Sequence, residues 1–366
     1  MNDSPPVKIG EIGRVLFLSH SHAFGAFRVG SHHYARELAR AGADVVHLST
    51  PISRIHRLLG RVTAEDESAV PRDPDVDADG VTHLVPRTTL PLPVGRFSVT
   101  RELRRHGLDP VFDAVLIDQP LLWDASVRAL APRVVYRPTD LYPTGVKNRL
   151  QRAIRDEVDA VVATSDEVLH NLGSFSRPSR VIGNGVDVSH FSRWPSESRE
   201  RPQVCVFVGA LDSRFDWQQL STWALAHPDV RFVVAGPTAH PVDRPAENIE
   251  IIGAVAYEAL PALLHTARIG LLPLSDDPLN AGRSPMKLHE YLAAGLNVVS
   301  RATPVIRSDP AAGVFAYDSD VAADAALTRA LASRSPNVSG FRVAADESWE
   351  RKAGELVAFV NSLPGR

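Results

Sequence analysis

Short runs of valine, isoleucine and leucine alternate along this chain with segments of helical periodicity. Such alternation is typical of βαβ units, in which parallel strands are joined through helices. In the first half, the runs that predict strands are 14–19, 44–49, 81–86, 113–118, 133–137 and 160–165. In the second half they are 204–209, 230–236, 248–253, 269–274 and 296–300. The two series predict two doubly wound α/β domains in tandem.

A polar, proline-containing segment separates the two series. We predict that residues 193–203 form a linker between an N-terminal domain of residues 1–192 and a C-terminal domain of residues 204–345. Residues 346–366 have the pattern of an amphipathic helix, which we expect to pack back on the domains. In open α/β sheets ligands bind beyond the carboxyl ends of the strands, so a cleft between the domains is the expected site.

Charge and cysteine content exclude several classes of protein. The formal net charge is only −3, so no basic field indicates a nucleic-acid partner. The single cysteine, Cys205, cannot form an internal disulfide, which agrees with a reducing compartment. No apolar run reaches the roughly 18 residues that a membrane span needs. We therefore expect a cytoplasmic protein, either free or attached to the inner face of the membrane.

The segment SPMKLHEYLAAGLNVVS, residues 284–300, combines helix signals with a misplaced charge. Ser284 is a good N-cap, Pro285 suits the first helical position, and Gly295 suits the C-terminal end. This places Lys287 in the first turn. A cation is unfavourable there, by about 0.3 to 1 kcal/mol, because the amino end of a helix carries partial positive charge.

Lys287 is explained if a polyanion binds at this helix end. Its ammonium group would then contact a phosphate, and Glu290 would accept hydrogen bonds from ribose hydroxyls. The alternative is an exposed i,i+3 ion pair worth a few tenths of a kcal/mol. The spacing of the two residues does not decide between these interpretations.

The same segment resembles the donor-binding segment of GT-B-fold glycosyltransferases, which has a lysine, a glutamate before an aromatic or apolar residue, small residues, a glycine and a valine-rich strand. Other stretches resemble that superfamily in the same order, namely 161–172, 180–191, 205–217 and 248–274. Residues 32–61 and 133–140 are similar to the xanthan-type glucuronosyltransferases, in a weaker match. The resemblance implies a GT-B fold of two Rossmann-like domains.

The resemblance also implies an activity. The expected enzyme is a hexosyl or glucuronosyl transferase that moves a sugar from a nucleotide-diphosphate donor, with UDP as the nucleotide, to a saccharide or lipid-linked acceptor. Many retaining members have a second glutamate eight residues before the one matched by Glu290, and here that position is Gly282. We therefore expect an inverting transferase, which needs a general base. Asp140, matched to the base of the xanthan-type enzymes, is the first candidate, and His22, with His20, is the rival.

Further donor contacts are expected near Lys287 and at the start of the second domain. Gly209 would let the ligand approach the backbone closely, and Val255 would offer main-chain groups to the base. Arg214 and Arg283 would contact phosphate, although each could equally be a solvated surface arginine. Met286 is interpreted as a packing residue that also touches the donor, beside Ser284.

We predict no metal and no other cofactor. The histidines of the N-terminal half lack the spacing of a zinc site, because adjacent His32 and His33 point about 100° apart on a helix. Two further classes remain open: a nucleotide-sugar epimerase on the same fold, and a degenerate, non-catalytic GT-B partner subunit. Residues 51–62 and 95–108 mix arginine with apolar side chains and suggest either a membrane contact or two amphipathic surface helices.

Overall fold

A computed structural model describes residues 9–25, 27–59, 68–192, 201–237, 246–333 and 336–365. The chain divides into two compact units. The first unit contains residues 1–183 and 349–366, and the second contains residues 184–348. The predicted division into two α/β bodies is therefore present, with different boundaries.

The first unit is built on an eight-stranded sheet of order β10-β9-β8-β7-β1-β2-β5-β4. Its strands are β1 (Arg14–Ser19), β2 (Asp44–Ser49), β4 (Asp75–Val76), β5 (Val81–Leu84), β7 (Ala114–Ile117), β8 (Arg133–Tyr136), β9 (Ala160–Ala163) and β10 (Ser179–Val181). All neighbours are parallel except β4 and β5. A separate pair is formed by β3 (Ile52–Ser53) and β6 (Arg87–Thr88).

Helices cover the two faces of this sheet, as its continuously apolar strands require. They are α1 (Gly30–Arg40), α2 (Arg54–Leu58), α3 (Val99–Arg105), α4 (Gly145–Glu157), α5 (Asp166–Asn171) and, from the C-terminus, α12 (Trp349–Ser362). The helix α12 packs on α1, where Trp349 stacks on His33 with ring centroids 4.8 Å apart and meets Tyr34 edge-on at 5.1 Å. The last helix thus completes the core of the first unit.

The second unit has a six-stranded parallel sheet of order β13-β12-β11-β14-β15-β16. Its strands are β11 (Val204–Val208), β12 (Arg231–Ala235), β13 (Ile249–Gly253), β14 (Ile269–Leu272), β15 (Asn297–Arg301) and β16 (Val314–Tyr317). Its helices are α6 (Val188–Phe191), α7 (Trp217–Ala226), α8 (Leu260–His265), α9 (Met286–Ala293), α10 (Asp320–Ala332) and α11 (Val338–Asp346). The strand order reverses between β11 and β14, as in a Rossmann fold.

Every strand predicted from an apolar run is present within a few residues of its expected bounds. The strand β16 was not predicted, because its four residues follow a polar, proline-rich loop and give too short an apolar run. Cys205 is buried in β11, as expected of a small apolar residue, and burial raises the pKa of its thiol.

The boundary between the units differs from the predicted one. The first unit ends at Gly183 rather than at residue 192, since Val186 and Phe191 are buried in the core of the second unit. The predicted linker, residues 193–203, lies outside the described residues up to position 200. Arg201 is described, and it donates hydrogen bonds to the carbonyl oxygens of Ala267 and Ala294 in the second unit.

Replacing the buried indole of Trp349 should destabilise the first unit selectively. We expect Trp349→Ala to lower its free energy of unfolding by about 3 to 5 kcal/mol, as is usual when a buried aromatic side chain is removed. Hydrogen exchange in urea would measure this as a loss of protection in β1 and β2. Trp223→Ala, which removes a buried indole from the second unit, is the matched control. A loss of protection confined to β11 and β12 in Trp349→Ala would contradict the assignment of α12 to the first unit.

Candidate functional site

The candidate donor site lies at the carboxyl edge of the second sheet, where the strand order reverses. Gly209 directly follows β11, and the chain leaving β14 reaches α9 through residues 273–285. Because crossover connections diverge at this point, a doubly wound sheet leaves an open crevice there. The second unit therefore brings Gly209 and the start of α9 to the same edge.

Gly209 and the side chain of Lys287 are in close contact. A Cβ atom at position 209 would lie 2.7 Å from Cε and 3.2 Å from Nζ of Lys287. Gly236, at the end of β12, is equally confined, since a Cβ there would lie 1.7 Å from the carbonyl oxygen of Gly209. Only glycine at position 209 leaves room for the ammonium group over the end of the strand.

The helix α9 begins one residue later than predicted. Pro285 is its N-cap and makes no side-chain capping hydrogen bond, so the prediction of Ser284 as N-cap is wrong. The Ser284 hydroxyl instead accepts a hydrogen bond from the Asn184 backbone N–H at 2.9 Å, and the Asn184 side-chain amide donates to the Ser284 carbonyl at 2.6 Å. Met286 and Lys287 are then the first two helical residues, and Lys287 still lies in the first turn.

Lys287 and Glu290 are two ionisable groups with shifted pKa values. Burial is the main reason that the pKa of Lys287 falls to about 8, and the nearby Arg283 charge lowers it further. Burial raises the pKa of Glu290 to about 7, against the opposing effect of Lys287. Glu290 is only 8% exposed, so the two residues are not the solvated surface pair of the alternative interpretation.

Arg214 and Arg283 differ in their surroundings. The Arg214 guanidinium pairs with both carboxylate oxygens of Asp212, and this hydrogen bonding lowers the pKa of that carboxyl. Arg283 lies close enough to influence Lys287 electrostatically. The loops that carry the two arginines are joined through Asn280, whose side-chain amide donates to the carbonyl oxygens of Arg214 and Ser275 at 3.1 and 3.0 Å.

Val255 and Met286 are the remaining predicted donor contacts. Val255 follows β13, and its partly buried side chain packs on the hydrophobic core of the second unit. Met286 is partly buried at the first position of α9. Val255 follows the carboxyl end of β13, and Met286 begins the helix that follows β14, so both lie toward the carboxyl edge of the sheet. Their contacts with a donor stay predictions.

Two further residues support the site through contacts that the sequence does not show. Asn184 holds the start of α9 from a position 100 residues earlier in the chain. The Tyr291 hydroxyl accepts from the backbone N–H of Val208 at 2.9 Å, which fixes the end of β11. A Cβ on Gly270 would lie 2.2 Å from the Tyr291 ring, so that glycine makes room for the tyrosine. Their sequence signals are two matches to the GT-B pattern, the N-G-V-D turn that begins at Asn184 and the aromatic residue that follows Glu290.

Both candidates for the general base lie at the carboxyl edge of the first sheet. Asp140 is exposed, four residues beyond β8, and its carboxylate accepts a hydrogen bond from the Thr139 hydroxyl at 3.2 Å. His22 is partly buried after β1, with its ring 6.2 Å from that of Phe24, and His20 precedes it. The geometry of the first unit is compatible with either residue as the base.

A buried ion pair lies at the same edge and was not predicted. Asp118, after β7, and Arg137, after β8, are 1% and 2% exposed and approach to 3.2 Å. The Arg137 guanidinium lies over the Tyr34 ring at 4.2 Å from its centroid. The pair ties together the ends of two strands that lead to the candidate acceptor side.

The histidines considered for metal binding have other surroundings. His33 stacks on Trp349, and a ring nitrogen of His32 accepts a hydrogen bond from the Val29 backbone N–H at 3.2 Å. Within the part of the chain that the structure describes, no group of three His, Cys, Asp or Glu side chains could hold a metal ion. Over the same residues, no helix is long and apolar enough to cross a bilayer.

Comparison with known proteins finds a family resemblance in the second unit. Residues 202–333 match the family model described as glycosyl transferases group 1. The chain is 26% identical over 209 residues to a putative teichuronic acid biosynthesis glycosyltransferase, TuaH, of Bacillus subtilis. That match covers 53% of this chain and 51% of the relative, so the alignment spans about half of each protein.

Solved structures resemble almost the whole chain. Sucrose-phosphate synthase from Thermosynechococcus elongatus has a TM-score of 0.68 at 15% identity, covering 95% of this chain and 98% of that one. Anabaena Alr3699/HepE, in complex with UDP and glucose, has a TM-score of 0.64 at 14% identity, covering 96% and 100%. These likenesses confirm the predicted GT-B fold, and residues 202–333 are similar to the glycosyl transferases group 1 family.

Proposed function

We propose that the chain is a glycosyltransferase that moves a sugar from a nucleotide-diphosphate donor to a saccharide or lipid-linked acceptor. The observation that carries this proposal is the ammonium group of Lys287 held over Gly209 in the first turn of α9, with Glu290 buried one turn on. The amino end of a helix and a cation together attract a diphosphate. Anabaena Alr3699/HepE in complex with UDP-glucose is the reason to test uridine donors first.

Each group at the donor site has a distinct role in this proposal. Lys287 and the first N–H groups of α9 neutralise the diphosphate as it leaves, which is where a metal ion would otherwise act. Glu290 accepts from the ribose hydroxyls. Arg283 supplies a second cation, whereas Arg214 must exchange its pairing with Asp212 for a phosphate contact.

The chemistry that we propose is a single inverting displacement. Asp140 takes the proton of the acceptor hydroxyl, and the acceptor oxygen attacks the anomeric carbon from the face opposite the diphosphate. The new glycosidic bond forms as the bond from the anomeric carbon to the phosphate oxygen breaks, and the nucleotide diphosphate departs. Gly282, in the place of the second glutamate of retaining relatives, supports inversion.

Removing the ammonium group should weaken donor binding. We expect Lys287→Ala to raise the dissociation constant for UDP by about 10- to 100-fold, since a charge-assisted hydrogen bond contributes about 1.5 to 3 kcal/mol. Titration calorimetry would measure this. Arg231→Ala is the matched control, because it removes one exposed cation from the opposite edge of the same sheet. Equal affinities of Lys287→Ala and wild type would contradict the proposed site.

Donor binding should also weaken at alkaline pH. The pKa of Lys287 is lowered to about 8, so the free protein carries the ammonium charge below that pH and loses it above. Between pH 7 and 9 we expect UDP affinity to fall about tenfold. The terminal phosphate of UDP, with a pKa near 6, is already ionised over this range, so the ligand does not cause the change. Lys287→Ala should lose most of this dependence, and an unchanged slope in that variant would assign the titration to another group.

The two candidate bases can be separated by kinetics. We expect Asp140→Ala to lower kcat by about 10² to 10⁴, as is typical for loss of a general base, while the affinity for UDP stays unchanged. His22→Ala, at the same sheet edge, should retain most of its activity. Turnover of UDP-glucose and UDP-glucuronate with release of UDP is the assay. Full activity of Asp140→Ala together with loss in His22→Ala would reverse the assignment.

A further inference from the structure

The first unit carries a small surface that the proposed chemistry does not use. It consists of residues 51–59 and 86–97, which we call the basic platform. The pairing of β3 with β6 joins these two segments. The Ile52 N–H also donates to the Pro86 carbonyl at 2.9 Å, and the Ile55 N–H to the Thr89 carbonyl at 3.4 Å.

One side of the basic platform is anchored and the other is exposed. Ile52 and Val85 are buried in a small cluster with Val70, against which Phe24 packs. Large apolar side chains nevertheless face solvent on the platform, and their exposed fractions are 80% for Leu58, 64% for Leu59, 39% for Leu90 and 71% for Val94. Because these four side chains lie outside that cluster and are exposed, packing in the core of the unit does not explain them.

The charge of the basic platform has one sign. Neither segment contains an aspartate or a glutamate, whereas Arg54, Arg57 and Arg96 are exposed among the apolar side chains. Exposed leucines beside arginines, with no acidic residue between them, match an anionic lipid surface, into which apolar side chains insert while cations meet the headgroups. A symmetric contact with a second copy would instead bring like charges together, which is unfavourable.

The position of the basic platform fits the same partner. Residues 51–59 follow the carboxyl end of β2, and residues 86–97 follow the carboxyl end of β5. The platform therefore stands at the sheet edge that also carries His22 and Asp140. A bilayer in contact with it would lie on the side of the first unit where the proposed acceptor chemistry takes place.

We propose that the basic platform docks the first unit on an anionic bilayer surface, with Leu58, Leu59 and Val94 inserted and the arginines at the headgroups. This docking does not depend on the donor site, because it needs neither nucleotide nor turnover. If the proposed function is also correct, a lipid-linked acceptor would be presented to the enzyme at this surface.

Vesicle sedimentation tests the proposal with the full chain and no nucleotide. We expect binding to vesicles of phosphatidylglycerol and little binding to phosphatidylcholine alone. The double variant Arg54→Gln with Arg96→Gln should lower partitioning by about fivefold for each arginine, and Leu58→Ser with Leu59→Ser by about tenfold or more. The matched control is Leu225→Ser with Val321→Ser, which changes two equally exposed apolar residues in the second unit and should bind like wild type.

Several outcomes would overturn the proposal. These are no binding to phosphatidylglycerol vesicles, equal binding to both lipids, or binding that the platform variants leave intact. A dimer in solution that the leucine variants dissociate, without vesicle binding, would show that a second copy covers the platform. Since the changed side chains are exposed, unchanged melting temperatures would confirm that the variants are folded. Failure of UDP binding would leave the vesicle result unaffected, so the two proposals fail separately.

Discussion

The proposed donor site depends on one unfavourable arrangement, the ammonium group of Lys287 held in the first turn of α9 and over the end of β11. The helix dipole, partial burial and the nearby Arg283 all oppose a positive charge there, and the lowered pKa of Lys287 expresses that opposition. Gly209 leaves the space for it, and Tyr291 fixes the strand end beneath it. The surrounding protein therefore disfavours this positive charge, and a bound polyanion would stabilise it.

Much of this architecture could be predicted because its causes are local. Most strands of the two sheets are buried on both faces, so the sequence shows them as continuous apolar runs. The prediction of Gly295 at the C-terminal end of α9 also has a local cause, because its φ of 74° is a conformation that favours glycine. Lys287 was singled out because its charge contradicted its position on the helix.

The rest is decided by partners distant in sequence. Ser284 has the intrinsic preference of an N-cap, but Asn184 engages its hydroxyl and carbonyl, so Pro285 takes the cap position. The buried pair of Asp118 with Arg137 forms only when β7 and β8 lie side by side. No local pattern encodes such contacts. The identity of the general base is open for the same reason, since Asp140 and His22 are far apart in sequence and share one sheet edge.

The most direct test of the central claim is the pKa of Lys287 itself. The chain has four lysines, Lys8, Lys147, Lys287 and Lys352, so their side-chain nitrogen signals can be assigned by NMR with single substitutions. In the free protein we expect the Lys287 ammonium group to titrate at a pKa of about 8, and addition of UDP should raise that value as phosphate stabilises the charge. An ordinary lysine pKa in the free protein that UDP leaves unchanged would contradict the account.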